Sequence, residues 1–170
     1  MLRRLFVVAA LAMLIFPAAS KAQFQSGNWE LTLAGSGTNG PDFDGVSFGV
    51  NGSLGYFLTD QFELSVRQTV NYSDFVGSSW NGSTRVAADF HFDMDRWQPF
   101  VGANIGFVYG EGVKDTWEAA PEAGVKYFVN STTFIYLSAE YQFFFDQGDD
   151  VDSAFSDGSF VYTLGVGFKW

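Results

Sequence analysis

One short run, Asp89-Phe90-His91-Phe92-Asp93, holds the only histidine between two carboxylates. An imidazole flanked by acids is suited to general acid–base chemistry. Elsewhere Glu30, Glu63, Arg67, Arg85, Glu122, Lys126, Glu140 and Lys169 supply further charge. A late segment carries Asp146, Asp149, Asp150, Asp152 and Asp157. Clustered carboxylates of that kind can bind Ca²⁺ or bridge divalent ions to lipopolysaccharide phosphates. Their spacing is not that of an EF-hand, so a solvated acidic loop is the preferred reading. With no cysteine, disulfides and a lipoprotein anchor are excluded. No cofactor, no resident metal and no catalytic residue is assigned.

The ionic residues share a position in a pattern. The sequence falls into eight runs in which apolar and polar residues alternate, the mark of strands with two unlike faces. They are residues 28–36, 46–57, 62–72, 84–93, 98–110, 117–129, 133–145 and 160–170. In the third run Phe62, Leu64, Val66, Val70 and Tyr72 oppose Glu63, Ser65, Arg67, Thr69 and Asn71. In the last, Phe160, Tyr162, Leu164, Val166, Phe168 and Trp170 oppose Val161, Thr163, Gly165, Gly167 and Lys169. Pro121, in the sixth run, removes a ladder donor and predicts a local irregularity. The connections alternate between long (37–45, 73–83, 111–116, 146–159) and short (58–61, 94–97, 130–132). Aromatics cluster at the run ends. Trp29, Tyr56, Phe62, Trp97, Tyr127 and Trp170 mark the short-turn side, and Tyr72, Tyr109, Trp117, Tyr141 and Phe160 the long-loop side.

Before these runs, Met1-Leu2-Arg3-Arg4, an apolar stretch from Leu5 to Pro17 and the small residues to Ala22 have the layout of a cleaved secretory signal peptide. The apolar stretch is too short for a membrane-spanning helix. Residues 23–170 then form one domain of 170 − 22 = 148 residues. Its charge is 6 basic (9 − 3) against 19 acidic residues, or −13. That balance excludes nucleic acid as a partner, since phosphate recognition needs basic clusters.

The expected fold is all-β: an eight-stranded antiparallel up-and-down transmembrane β-barrel. A soluble lipocalin-like barrel alternates too, with its apolar face inward. Three features favour lipid on the apolar side. The polar face is rich in Gly and Ser, as a narrow crowded lumen requires. Its charges come in both signs, as a closed interior needs. The apolar face is aromatic at its ends and aliphatic at mid-depth.

The leader, the eight runs and the terminal Gly165-Val166-Gly167-Phe168-Lys169-Trp170 resemble the small bacterial outer-membrane barrels of the OmpA/OmpX type, over the whole mature chain. The resemblance implies a Gram-negative outer-membrane location among lipid and lipopolysaccharide. It also implies an assembly signal, Tyr162, Leu164, Val166, Phe168 and Trp170, read by the barrel assembly machinery. Trp170 stands where Phe is commoner.

An eight-stranded barrel is just wide enough to fill with side chains, so no constitutive pore is expected. Buried charges must pair. Arg67 is expected near Asp89 and His91. Glu30 and Lys169 are expected together if the barrel closes. Glu122 and Glu140 need Arg67 or Arg85, or a proton. A structural or surface-interaction role leads, through envelope integrity, adhesion or host contact. A narrow conduit for hydrophobic or ionic solutes comes second. A lipid-A-modifying enzyme comes third, because inward-facing His91 lies close to a short turn rather than beside a serine or acid at the rim. Phe75 and Trp80 in the second long loop offer contacts to an extracellular partner, and a monomer is expected.

Overall fold

The structure is a computed structural model that describes residues 23–39, 45–75, 77–111, 113–145 and 158–170. The leader (1–22), most of the first loop (40–44) and the acidic segment (146–157) lie outside the described residues. Eight strands follow one another: β1 Trp29–Asn39, β2 Val46–Phe57, β3 Phe62–Ser73, β4 Ser79–His91, β5 Trp97–Gly110, β6 Thr116–Phe128, β7 Thr133–Phe145 and β8 Ser159–Lys169. Each pairs antiparallel with its neighbour, and β8 returns to β1 to close the barrel. The closure is backbone to backbone: the Trp29 N–H donates to the Trp170 carbonyl at 3.0 Å, and the Trp170 N–H returns to Trp29 at 3.1 Å.

The apolar face is outside. Val66 pairs with Val86, Val86 with Ile105 and Ile105 with Ala119, a row that runs around the wall. Val66 is 54% exposed and Ile105 50%, while Arg85 is 3% and Glu122 6% exposed. A water-soluble barrel cannot turn its aliphatic residues outward and bury its ions. Lipid can accept this wall, because every spanning peptide group can bond within a closed sheet. Aromatic pairs bound the aliphatic belt. Trp29–Tyr56 and Trp97–Tyr127 lie at the near end, with ring centres 5.0 and 4.7 Å apart. Phe107–Trp117 and Tyr141–Phe160 lie at the far end, 5.5 and 4.9 Å apart.

The crowded lumen explains the small inward residues. Gly102 stands directly opposite Asp89, Gly106 opposite Arg85, Gly124 opposite Phe100, Gly165 opposite Tyr136 and Gly167 opposite Phe134. In each case a Cβ on the glycine would collide with the large partner or the backbone beside it. Large and absent side chains therefore alternate across neighbouring strands, and the interior fills without strain.

Three local features depart from the sequence reading or refine it. Strand β4 begins at Ser79, not Thr84, so Trp80 belongs to the wall and pairs with Tyr72. Asn/Gly/Ser composition reads as loop, yet Asn81 faces inward, where the Asn71 amide bonds it at 3.0 Å. β1 likewise runs to Asn39 rather than Ser36. The long/short contrast softens accordingly: the far-end connections 74–78 and 111–115 match the near-end turn 92–96 in length and exceed 58–61 and 129–132 by one residue. At Pro121 the β6–β7 ladder breaks, going from Ala119↔Phe143 to Glu122↔Glu140 with no pairing between.

Candidate functional site

The lumen is stacked in layers. At the near end the chain enters through Phe24, a fully buried residue just ahead of β1. Its ring stacks on Phe57 at 4.1 Å and meets Phe128 and Phe134 edge-on at 5.2 and 6.0 Å. The segment is tied in place by Ser26, whose N–H donates to the Asp60 carboxylate at 2.8 Å and whose hydroxyl donates to the Leu58 carbonyl at 2.9 Å. The Lys169 ammonium donates to the Gln23 carbonyl. Together these side chains form an aromatic plug.

His91 lies inside this plug, 1% exposed, with ring contacts to Phe24, Phe57 and Phe100 at 5.1–5.4 Å. Its Nε2 is 3.5 Å from Glu63, and neither ring nitrogen makes a hydrogen bond within the protein.

Above the plug, the Lys126 ammonium bonds both carboxylate oxygens of Glu30, at 2.6 and 2.7 Å, and Glu63 at 3.1 Å. Glu30 and Lys169 are backbone partners in the β1–β8 ladder, but Glu30 turns inward to Lys126. Lys169 is held instead by Gln23 and lies over the Phe24 and Phe128 rings. The expected contact between Glu30 and Lys169 side chains is therefore replaced, because Phe24 carries Gln23 into reach of the lysine.

The next layer spans the barrel. Arg67 and Arg85 are direct backbone partners, as are Glu122 and Glu140. Like charges side by side are destabilising on a sheet. Each arginine is answered across the lumen, three strands round the ring. Arg67 forms a two-pronged pair with Glu122 at 2.5 and 2.7 Å, and a further bond to Asp89 at 2.7 Å. Arg85 reaches Glu140 at 2.5 Å. The Asn104 amide donates to both glutamates at 3.2 Å. Arg67 does not meet His91, which the phenylalanines enclose. Between the two charged layers is a space of about 30 Å³, room for about one water.

Glu118 and Phe24 are among the contributors that were not singled out in the sequence. Glu118 is 3% exposed, with a carboxylate oxygen 3.7 Å from the Arg85 guanidinium. Its place on the polar side of β6 was the available signal. Phe24 precedes the first alternating run, so no periodicity marked it.

Above Arg85 the lumen widens into a cavity of about 640 Å³, lined in part by Asn71, Asn81, Ser83, Glu118 and Gln142.

The outer membrane protein beta-barrel domain family matches residues 6–168. This chain belongs to that family. The family is one of membrane-embedded barrels of the Gram-negative outer membrane. Among solved structures, the N-terminal β-barrel domain of Pseudomonas aeruginosa OprF is similar at 22% identity and TM-score 0.59, covering 86% of this chain and 98% of that one. OprG, an outer membrane protein of the same organism, is similar at 12% identity and TM-score 0.57, covering 88% and 99%. Neisserial surface protein A gives 15% identity and TM-score 0.53, covering 84% and 94%. At such identities these likenesses speak to fold alone. No curated protein matches this chain in sequence.

Proposed function

We propose that this barrel is a sealed outer-membrane anchor whose work is structural or lies in surface contact, through envelope integrity, adhesion or host contact at its outer loops. One observation carries the reading. The lumen is crossed by the Phe24 plug, the Lys126 cluster and the Arg67–Glu122 and Arg85–Glu140 pairs, so its rigidity is built at the expense of a pore. A conduit would need these layers to part together. Catalysis is not part of the reading, since His91 is walled in by Phe24, Phe57 and Phe100.

In this reading residues 1–22 direct export and are cleaved after Ala22. The alternating Tyr162, Leu164, Val166, Phe168 and Trp170 present the assembly machinery with its recognition strand. Lipopolysaccharide surrounds the outer girdle. Planar-bilayer recording of the refolded protein tests the seal. The expected trace has no discrete openings at moderate voltage; regular unitary steps would replace the anchor with a channel.

A further inference from the structure

The barrel wall is not zipped to the top. The β1–β8 ladder runs from Glu30↔Lys169 to Ala34↔Gly165 and stops. Both strands continue beyond it, β1 to Asn39 and β8 back to Ser159, each paired only on its other side. Continuing the register would set Ser36 opposite Thr163, but no described residue pairs there. On β8 Val166 and Phe168, opposite Leu33 and Leu31, are each 42% exposed, whereas Leu164 and Tyr162, whose opposite places on β1 fall to Gly35 and Gly37, are 68% and 71% exposed.

The far-end cavity borders this seam. Its walls include the inward residues Asn71 and Glu118, Gly35 and Ser36 of β1 and Val161 to Leu164 of β8, so it meets both strands where their ladder has stopped. The β1 side of the opening is Gly35-Ser36-Gly37, too small to obstruct it. The cavity ends at Arg85, Glu118 and Glu140, so it is a side pocket with a closed floor. Its volume of about 640 Å³ is that of a small-ligand site.

We propose that this seam admits a single-chain neutral amphiphile from the outer leaflet. Its hydrocarbon tail lies against Leu164, Tyr162 and Val50, and its uncharged polar head enters the cavity. The tail assignment follows from the lipid-facing mouth. The head assignment follows from the lining: Asn71, Asn81, Ser83 and Gln142 offer hydrogen bonds, and the carboxylates of Glu118 and Glu140 are offset by Arg85 and Lys114 in the same wall, which leaves no net charge to draw an ion. Free peptide groups along an open edge are costly in hydrocarbon, and a hydroxyl or amide head can satisfy them.

The chain has no cysteine among the described residues or elsewhere in its sequence, so a cross-link can be placed at will. The test uses the full mature protein in phosphatidylcholine nanodiscs and a nitroxide-labelled long-chain alcohol as probe. Paramagnetic broadening of the Asn71 and Asn81 amides reports entry, and that of Phe48 and Ile105 reports ordinary lipid contact. Saturable broadening of Asn71 and Asn81 is expected in the parent. A Ser36→Cys/Thr163→Cys variant should lose it at least tenfold on oxidation and regain it on reduction. Should that disulfide not form, Thr163→Trp, which fills the mouth without moving backbone, should produce the same loss. The matching long-chain carboxylate at pH 8 should compete poorly. Broadening confined to Phe48 and Ile105, or unchanged in the oxidised and Thr163→Trp proteins, would overturn the site. So would a dimer held through the β1 and β8 edges. A carboxylate that competes as well as the alcohol would overturn the neutral head.

Discussion

Arg67 on β3 and Glu122 on β6 are joined across the lumen, Nη1 donating to Oε2 at 2.5 Å and Nη2 to Oε1 at 2.7 Å. Such two-pronged pairs combine strength with directional fit. The neighbouring Arg85–Glu140 pair repeats the span. Both pairs join residues 55 apart in sequence, so they hold opposite walls at a fixed separation.

Removing one partner of this pair strands the other in a dry interior. Arg67→Ala or Glu122→Ala should each cost about 3–5 kcal/mol, the usual loss when a buried ion keeps its charge but loses its partner. The combined Arg67→Met/Glu122→Leu change should cost less than either single change. Urea unfolding of the micelle-folded protein, followed by Trp fluorescence, measures all three.

The buried charges do not balance. Glu30, Glu63, Asp89, Glu118, Glu122 and Glu140 are matched by Arg67, Arg85 and Lys126 at the same depth, six acids against three bases. Glu118 makes the longest of these ion pairs, 3.7 Å to Arg85, and its Oε1 takes no hydrogen bond. Glu118→Gln should therefore leave the unfolding midpoint close to that of the parent. Glu140→Gln, which weakens the 2.5 Å bond to Arg85, should lower it clearly. A larger loss from Glu118→Gln would reverse this ranking.

Phe24 closes the near end with a fully buried ring. Phe24→Ala should cost about 3–5 kcal/mol, as truncation of a core phenylalanine does. Bilayer conductance should stay silent, because the ion layers above the plug remain. Unfolding curves and single-channel traces on one preparation check both halves.

Room, not flexibility, fixes the inward glycines. A Gly102→Leu side chain would meet Asp89 and the Ala88 carbonyl, and overpacking of this sort costs about 1–3 kcal/mol or more. Gly37→Ala meets nothing nearer than 3.7 Å and should fold as the parent does. Heat-modifiable gel migration separates the two: a folded band for Gly37→Ala, a depleted one for Gly102→Leu.

Much of this architecture was legible in the sequence because a strand's side chains alternate without exception. Phe62 to Tyr72 alone shows which residues share a face, and the shared face of the charged residues follows. Depth and partner choice were harder. Glu30 and Lys169 sit opposite one another in backbone register, yet their side chains part because Phe24 brings a competing carbonyl. Strand ends at Ser79 and Asn39 were masked by Asn, Gly and Ser, which serve a narrow polar lumen as readily as a loop. The stop in the β1–β8 ladder has no sequence mark at all. Leu164 and Tyr162 keep the alternation there, and only the pairing reveals that β1 is no longer bonded to them.

The orientation of the wall is tested most directly by a nitroxide scan along β3, one label at a time from Leu64 to Val70, in lipid bilayers. Collision with dissolved oxygen reports hydrocarbon, and collision with a water-soluble nickel chelate reports water. Labels at Leu64, Val66 and Val70 should be oxygen-accessible and shielded from nickel, while Ser65 and Thr69 lose that oxygen contact, giving a period of two. Nickel access at Val66 together with oxygen access at Ser65 would contradict an oily exterior around an ionic core.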